Sequence, residues 1–301
     1  MAQLGNEYMK TVEKNVINTL GTRGAEWLRS LPLIIQKLSQ HWQLTEITPV
    51  SNMSWNYVAY AKRNITNHVV LKISCDDKLI LAEYRALIHF DSIGAIKVID
   101  ISKEHNALLL EQAIPGDILK INFQKNMPET ILIYSQVVRH ISSHTLPDSA
   151  FTHVREWCAS IDKINDPRIN SQFVESAKQL KTYLLNSVKQ EYLCHGDLHL
   201  ENIIKHGSQW VAIDPKGIIG EMAFEAAAFD LLCEDEINEN SPAKIIYRVS
   251  LLSESLDIDY NRLLAWVFLR VIISAQWFVE DKGDPSRMLR IANFIHPLLS
   301  V

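Results

Sequence analysis

Apolar residues recur at helical spacing over 6–20 and again over 24–41, which predicts two helices, the second kinked at Pro32. The texture then changes. The runs "LTEITPVS", "NYVAYAKR" and "HVVLKIS" are short, rich in β-branched and aromatic residues, and bounded by Ser, Asn and Thr, as strands are. A helical pattern follows over roughly 78–90, then two further strand-like runs, "IKVIDI" and "ALLLEQA". Pro115-Gly116 punctuates the chain there. Beyond it helical spacing dominates, over about 128–145, 153–164, 171–189, 223–235, 241–256 and 259–281. The exception is Tyr192 to Asp214, which reads as short strands with turns at Gly196 and at His206-Gly207-Ser208. The pattern predicts an α+β chain: a helical segment over 1–43, a small strand-rich N-lobe with one helix over 44–113, and a larger, mainly helical C-lobe over 114–301. The joint falls near Ala113–Gly116, and a cleft between such lobes is a favoured place for a ligand.

Composition narrows the class. The chain has 301 residues, 47% hydrophobic and 22% charged, ordinary for a soluble globular enzyme. A net charge of -5 leaves no basic surplus for nucleic acid or an anionic membrane, and suits a cationic partner better. Cys75, Cys158, Cys194 and Cys233 are far apart and form no C-x-x-C pair, the pattern of single thiols in a reducing cytoplasm. The start, "MAQLGNEYMKTVEKN", lacks the apolar core of a secretory signal. The longest apolar segment, Leu263 to Val279, is short for a bilayer and interrupted by Arg270, so it reads as a core helix of the larger lobe.

The chemistry concentrates in "YLCHGDLHLENIIKHGSQWVAIDPKG", Tyr192 to Gly217. A hairpin turning at Gly207 would bring Asn202 and Asp214 to the same side, close to Asp197. An amide oxygen and a carboxylate are hard ligands of the kind Mg²⁺ takes, the rest of its shell coming from phosphate and water. Asp197 is then left to orient and deprotonate a hydroxyl, which is the division of labour in phosphoryl transfer. Taken singly, each residue has a plainer reading: a helix cap, a turn residue, a strand-end Asp before Pro. A second chemistry also competes. His195-x-Asp197-x-His199, with Cys194 and His206 nearby, has the residue types of a zinc site, though a hydrolytic zinc site usually draws further ligands from separate elements. In the phosphoryl-transfer reading the two histidines hold the loop through backbone carbonyls.

An independent signal lies upstream. Lys72 stands in the apolar run "HVVLKIS". On the next helix, Glu83 has Leu79, Ile80, Ala86, Leu87 and Phe90 as its neighbours on one face. A carboxylate inside an apolar stripe needs a partner, because an isolated buried charge is very costly. Lys72 is the nearest candidate, and such a pair would aim the ammonium at nucleotide α- and β-phosphates. Adenine would meet the backbone of Gln112, Ala113 and Ile114 in the joint. The phosphate-covering loop "VSNMSWNYVAY" has no glycine, so Ser51 and Ser54 would supply donors there. That missing glycine is what supports the rival reading, a nucleotide-binding module without transfer activity.

"HGDLHLEN" with "IDPKG" resembles the aminoglycoside phosphotransferase superfamily, and "DPKGIIGEMAFE" resembles its streptomycin 6-phosphotransferase and hydroxyurea phosphotransferase branch. The likeness runs over roughly 45–285, with "VVLKIS", "AEYRAL" and "ALLLEQAIPG" at the places of the family's Lys strand, helix and hinge. It departs at Glu201, Met222 and Phe224, where the family usually has Gly, Pro and Tyr. The resemblance implies a protein-kinase-like two-lobed fold with a small antiparallel sheet in the N-lobe. It implies Asp197 as base, Asn202 and Asp214 as Mg²⁺ ligands, and Lys72 with Glu83 setting the phosphates of ATP or GTP. Glu225 matches an acidic position better suited to structure than to catalysis, and for Lys216 both a structural and a phosphate-facing role stay open. The expected acceptor is a small cationic or hydroxylated molecule: an aminoglycoside of the streptomycin type, hydroxyurea, or another small hydroxylated metabolite. For a polycation, Glu234, Asp235, Trp277, Glu280 and Asp281 are the candidate contacts, an aromatic face beside carboxylates. The plainer reading of these acids is solvated helix faces and caps.

Overall fold

In the computed structural model, residues 9–64, 66–123, 125–147 and 151–299 are described, and the chain divides into two units, Met1–Gly116 and Asp117–Val301. The first unit opens with α1 (Met9–Trp42), two helices joined across a kink at Gly21, in the gap between the two helices that the sequence pattern predicts over 6–20 and 24–41. Its bend lies at Gly21, with φ 54 and ψ −125, and not at Pro32, which runs inside the helix. Those angles are open to glycine because it has no Cβ to clash. The strands are β1 (Leu44–Pro49), β2 (Tyr57–Arg63), β3 (Asn67–Ile73), β4 (Val98–Ser102) and β5 (Ala107–Glu111), with α2 (Asp77–Phe90) between β3 and β4. They form one antiparallel sheet in the order β1-β2-β3-β5-β4.

The two faces of this sheet have different covers. Val12, Val16, Leu38 and Trp42 of α1 share a core with Tyr57, Ala59, Val69, Leu71, Ile73 and Leu109. Because side chains alternate along a strand, Lys72 points to the opposite face from Leu71 and Ile73. The second helix packs against β4 and β5. Its start is fixed by Asp76, whose carboxylate accepts from the N–H groups of Lys78 and Leu79. Ile80, Ala86, Leu87 and Phe90 are buried along its inner face, whereas Leu79, expected in that stripe, is 60% exposed.

The second unit is entered on β6 (Pro115–Ile118) and continues through α3 (Lys120–Phe123), α4 (Met127–Ile141), β7 (Thr152–His153), α5 (Val154–Cys158) and α6 (Ser171–Asn186). Next come β8 (Tyr192–Cys194), β9 (Ile203–His206), β10 (Gln209–Ala212) and β11 (Ile218–Gly220), then α7 (Met222–Ala226), α8 (Ser241–Leu256), α9 (Tyr260–Glu280) and α10 (Ser286–Ile295). The small sheets run β10-β9-β6 and β7-β11-β8. Around them the helices pack on α9, which touches α6, α7, α8 and α10. By length and composition α9 could cross a membrane, but 61% of its apolar window is buried inside the protein, as a core helix requires. The helix expected over 223–235 is only α7 and a later 3-10 turn at Glu234–Glu236. From this stretch Glu225, inside α7, and Asp230, beyond it, accept from main-chain donors of the loop described next. The helix expected over 153–164 is likewise α5 followed by a 3-10 turn, Ala159–Lys163.

Candidate active site

The loop between β8 and β9 carries His195 to Asn202, and the β10–β11 turn carries Asp214 to Gly217. Main-chain bonds tie the two together. Lys216 and Gly217 both donate their N–H groups to the His195 carbonyl, at 2.7 and 3.3 Å, and Ile213 N–H donates to the Asn202 carbonyl at 2.9 Å. His195 is fully buried between them. Its Nε2–H donates to the Ile213 carbonyl at 2.7 Å, and Nδ1 accepts from Asp197 N–H at 3.2 Å. Burial drives its pKa down to about 3, so the ring is neutral and both nitrogens are spent on main chain. His199 Nδ1 accepts from Glu201 N–H at 3.3 Å. The histidines therefore brace the loop as expected, His195 through a carbonyl but His199 through an N–H. Among the described residues no set of three or more His, Cys, Asp or Glu side chains converges as a metal site, which disfavours the zinc reading.

Asp197, Asn202 and Asp214 do meet. Asn202 Nδ2 donates to the Asp197 carbonyl at 2.8 Å, which turns its Oδ1 the other way as an acceptor. Lys216 Nζ lies 3.8 Å from Asp197 Oδ2 and 4.0 Å from Asp214 Oδ2, so one ammonium reaches both carboxylates. Asp214 adopts φ 68, in the left-handed region that Asp enters more readily than most residues. Burial pushes the Asp197 pKa up, but the charges facing it, Lys216 first, outweigh it and hold the carboxyl below its ordinary value. An amide oxygen and a carboxylate, with a second carboxylate beside them, fit the donor set of Mg²⁺, which takes few protein carboxylates and leaves room for phosphate.

Beneath this loop lies a support that sequence reasoning did not assemble. Gly196 N–H donates to Glu225 Oε2 at 3.1 Å, and Arg270 Nη2 donates to the Gly196 carbonyl at 3.0 Å. Glu225 is fully buried, and burial pushes it up to about 7, against the opposing pull of the Gly196 N–H and Arg270. The Arg270 guanidinium sits 4.8 Å from the Phe224 ring centre and 5.9 Å from that of Trp157. Nearby, Glu221 is held by Arg262 Nε and Nη2, at 2.7 and 2.8 Å, and by the Trp266 indole. The available signal was Arg270 itself, a charge inside an apolar helix that must find a partner. Gly196 has φ +86, and a Cβ there would lie 2.6 Å from Ile218 Cγ1. Gly196→Ala is therefore expected to cost about 2–4 kcal/mol, strain and overpacking adding together. Urea unfolding measures it; a loss under 1 kcal/mol would mean the loop has room.

The other predicted contacts fall as follows. In the first unit, Lys72 Nζ is 2.7 Å from Glu83 Oε2, and both side chains are almost wholly buried. Ser51 and Ser54 are exposed in the β1–β2 loop, where the Ser54 carbonyl accepts from Asn15 Nδ2 at 3.0 Å. Gln112 N–H donates to the His68 carbonyl at 3.3 Å; Ala113 is buried and Ile114 half exposed. In the second unit, the oxygens of Glu234 are taken by Arg287 and Arg290, at 2.9 and 2.8 Å. Asp235 is exposed. Trp277 stands edge-on to Trp157, ring centres 5.1 Å apart. Glu280, bonded by Gln276 at 3.0 Å, and Asp281 end the same helix, both exposed. The family departures also find partners. Glu201 reaches out to Lys120 at 2.5 Å, and Phe224 packs edge-on to Trp157 and Trp266.

The family model described as aminoglycoside/hydroxyurea antibiotic resistance kinase matches residues 41–282. Streptomycin 6-kinase of Streptomyces griseus is 23% identical over 271 residues, covering 87% of this chain and 87% of the relative. Hydroxyurea phosphotransferase of Kitasatospora aureofaciens is 22% identical over 289 residues, covering 91% of this chain and 82% of the relative. Among solved structures, a thermostable mutant of aminoglycoside phosphotransferase APH(4)-Ia, in ternary complex with ADP and hygromycin B, superposes with a TM-score of 0.67. That match is 13% identical and covers 87% of this chain and 97% of the other, a likeness of fold. The α+β fold is thus protein-kinase-like, and the chain belongs to the aminoglycoside/hydroxyurea antibiotic resistance kinase family of small-molecule phosphotransferases.

Proposed function

We propose that the chain acts in the cytoplasm and transfers the γ-phosphoryl of ATP or GTP to a hydroxyl of an aminoglycoside of the streptomycin type. The observation that carries the chemistry is that Lys216 reaches both Asp197 and Asp214 while Asn202 bonds the Asp197 main chain. In this reading Asp197 orients the acceptor hydroxyl and takes its proton. Asn202 and Asp214 hold Mg²⁺, which when bound neutralises phosphate charge. Lys72, fixed by Glu83, contacts the α- and β-phosphates; Ser51 and Ser54 add donors over them, and the backbone of 112–114 faces adenine. On the acceptor side, the Trp157–Trp277 pair with Glu280 and Asp281 offers aromatic faces and negative charge to a guanidinium.

A second reading, a small neutral acceptor such as hydroxyurea, is favoured by the fate of the acidic run. Glu234 is neutralised by Arg287 and Arg290, and Glu236 by Arg248 and Lys244 at 2.6 and 2.9 Å. Glu234, one of the carboxylates expected to greet a polycation, and its neighbour Glu236 are therefore already taken by the protein's own cations. A panel of streptomycin, other aminoglycosides, hydroxyurea and small alcohols decides, read as acceptor-dependent ADP or GDP formation with Mg²⁺. Stimulation by streptomycin alone supports the first reading, and stimulation by hydroxyurea the second. Nucleotide binding with no acceptor-dependent turnover would leave a binding module.

A further inference from the structure

We propose that Lys216 is a catalytic residue, whose ammonium contacts the phosphoryl group in flight between nucleotide and acceptor; this rests on the kinase reading above. Three observations place it there. Its main chain is fastened to the catalytic loop, since Lys216 N–H donates to the His195 carbonyl at 2.7 Å. Its side chain is 40% exposed, so the ammonium stands at a solvent-open surface and not in the core. Its distances are the third and most telling. Other lysines of this chain meet a carboxylate at hydrogen-bond length: Lys72 at 2.7 Å, Lys120 at 2.5 Å, Lys62 at 2.8 Å and Lys244 at 2.9 Å. Lys216 stands between two carboxylates and closes on neither, at 3.8 and 4.0 Å. Among the described residues its Nζ makes no hydrogen bond. A salt bridge kept for stability would close on one partner, and a half-exposed pair would add little in any case. A cation poised between the base and a metal ligand, with three donors unspent, is arranged for an anion that arrives from outside.

The step it serves is a displacement at phosphorus. The acceptor oxygen forms a bond to the γ-phosphorus while its proton passes to Asp197. The bond from that phosphorus to the β,γ-bridging oxygen breaks, and the electron pair leaves with the nucleoside diphosphate. Charge on the equatorial oxygens of the moving group is shared with fixed cations. Lys216 keeps its protons throughout and acts as one of those cations. In the resting protein it moderates the repulsion between Asp197 and Asp214.

The test compares wild type, Lys216→Met and Lys216→Arg in binding as well as turnover. Titration with ADP and Mg²⁺ comes first, and failure of wild type to bind would remove the kinase reading itself. With that binding in hand, the same titration is repeated with tetrafluoroaluminate, a flat anion that mimics the phosphoryl in transfer. Lys216→Met is expected to bind ADP within about twofold of wild type. It should lose about 10- to 100-fold for the ADP–tetrafluoroaluminate pair and about 10²-fold in kcat. Lys216→Arg should recover part of both, and thermal unfolding of the variants should match wild type within about 2 °C. Undiminished affinity of Lys216→Met for the fluoride complex would overturn the proposal. So would equal losses of stability and of ADP binding, the mark of a structural lysine.

Discussion

Asp197→Asn is expected to lower kcat by about 10²–10⁴-fold while ADP affinity stays near wild type. The separation follows from how residue 197 is used. Its main chain does the structural work: the carbonyl accepts from Asn202 Nδ2 at 2.8 Å, and the N–H donates to His195 Nδ1 at 3.2 Å. Its carboxylate has Lys216 beside it at 3.8 Å, beyond hydrogen-bond length. An asparagine keeps shape and main-chain bonds, so Asn202 should still present its amide oxygen to the metal. What the variant lacks is an atom able to take the acceptor proton. Asp197 is suited to that task because the surrounding cations keep it ionised against the effect of burial. Steady-state kinetics with the best acceptor of the panel, and nucleotide titration in its absence, measure the two quantities separately. Turnover of the Asn variant within tenfold of wild type would take Asp197 out of proton transfer.

How far the sequence could be read depended on whether a residue's partner lay nearby in the chain. Glu83 stands out because its helical neighbours are mostly apolar, and Lys72 lies on the strand just before; the pair forms at 2.7 Å. Asp197, Asn202 and Asp214 were legible because one hairpin joins them, β9 to β10, with Ile203 opposite Ala212. Arg270 posed the same problem as Glu83, a charge in an apolar run. Its partner, the Gly196 carbonyl, is 74 residues away in sequence, so the arginine read merely as a break in a long apolar segment. The break in α1 is legible as the gap in the apolar pattern between 20 and 24, where Gly21 leaves helical angles altogether; at Pro32, where a kink is expected from the missing N–H, the angles stay helical. The helix expected at 223–235 stops at Ala226, and the bonds of Glu225 and Asp230 to Gly196 and Leu200 are distant in sequence, where helix propensity carries no record of them.

Arg270→Met should then destabilise the protein more at pH 8 than at pH 5.5, by a margin on the order of 1–2 kcal/mol. At either pH the variant loses the bond to the Gly196 carbonyl, about 1.5–3 kcal/mol for a charged donor. The difference comes from Glu225. Its pKa rises from 4.5 to about 7 on folding, so the folded chain holds its proton more tightly than the unfolded one. The stability this contributes is fully present below about pH 4.5 and is lost as pH rises through about 7. At pH 8 the carboxylate is charged and buried, and Arg270 is the cation that offsets it. Of the other groups against Glu225, Tyr134 and Cys194 are raised and His195 is lowered, each by burial. Those three stay neutral from pH 5.5 to 8, and Asp197 stays charged, so the change belongs to Glu225. Adding Glu225→Gln should make the cost of Arg270→Met the same at both pH values. Urea unfolding of wild type, the two single variants and the double variant at each pH measures this. A cost of Arg270→Met that is already equal at pH 5.5 and 8 would mean that Glu225 does not titrate in this range, and that the guanidinium supports the catalytic loop through the Gly196 carbonyl alone.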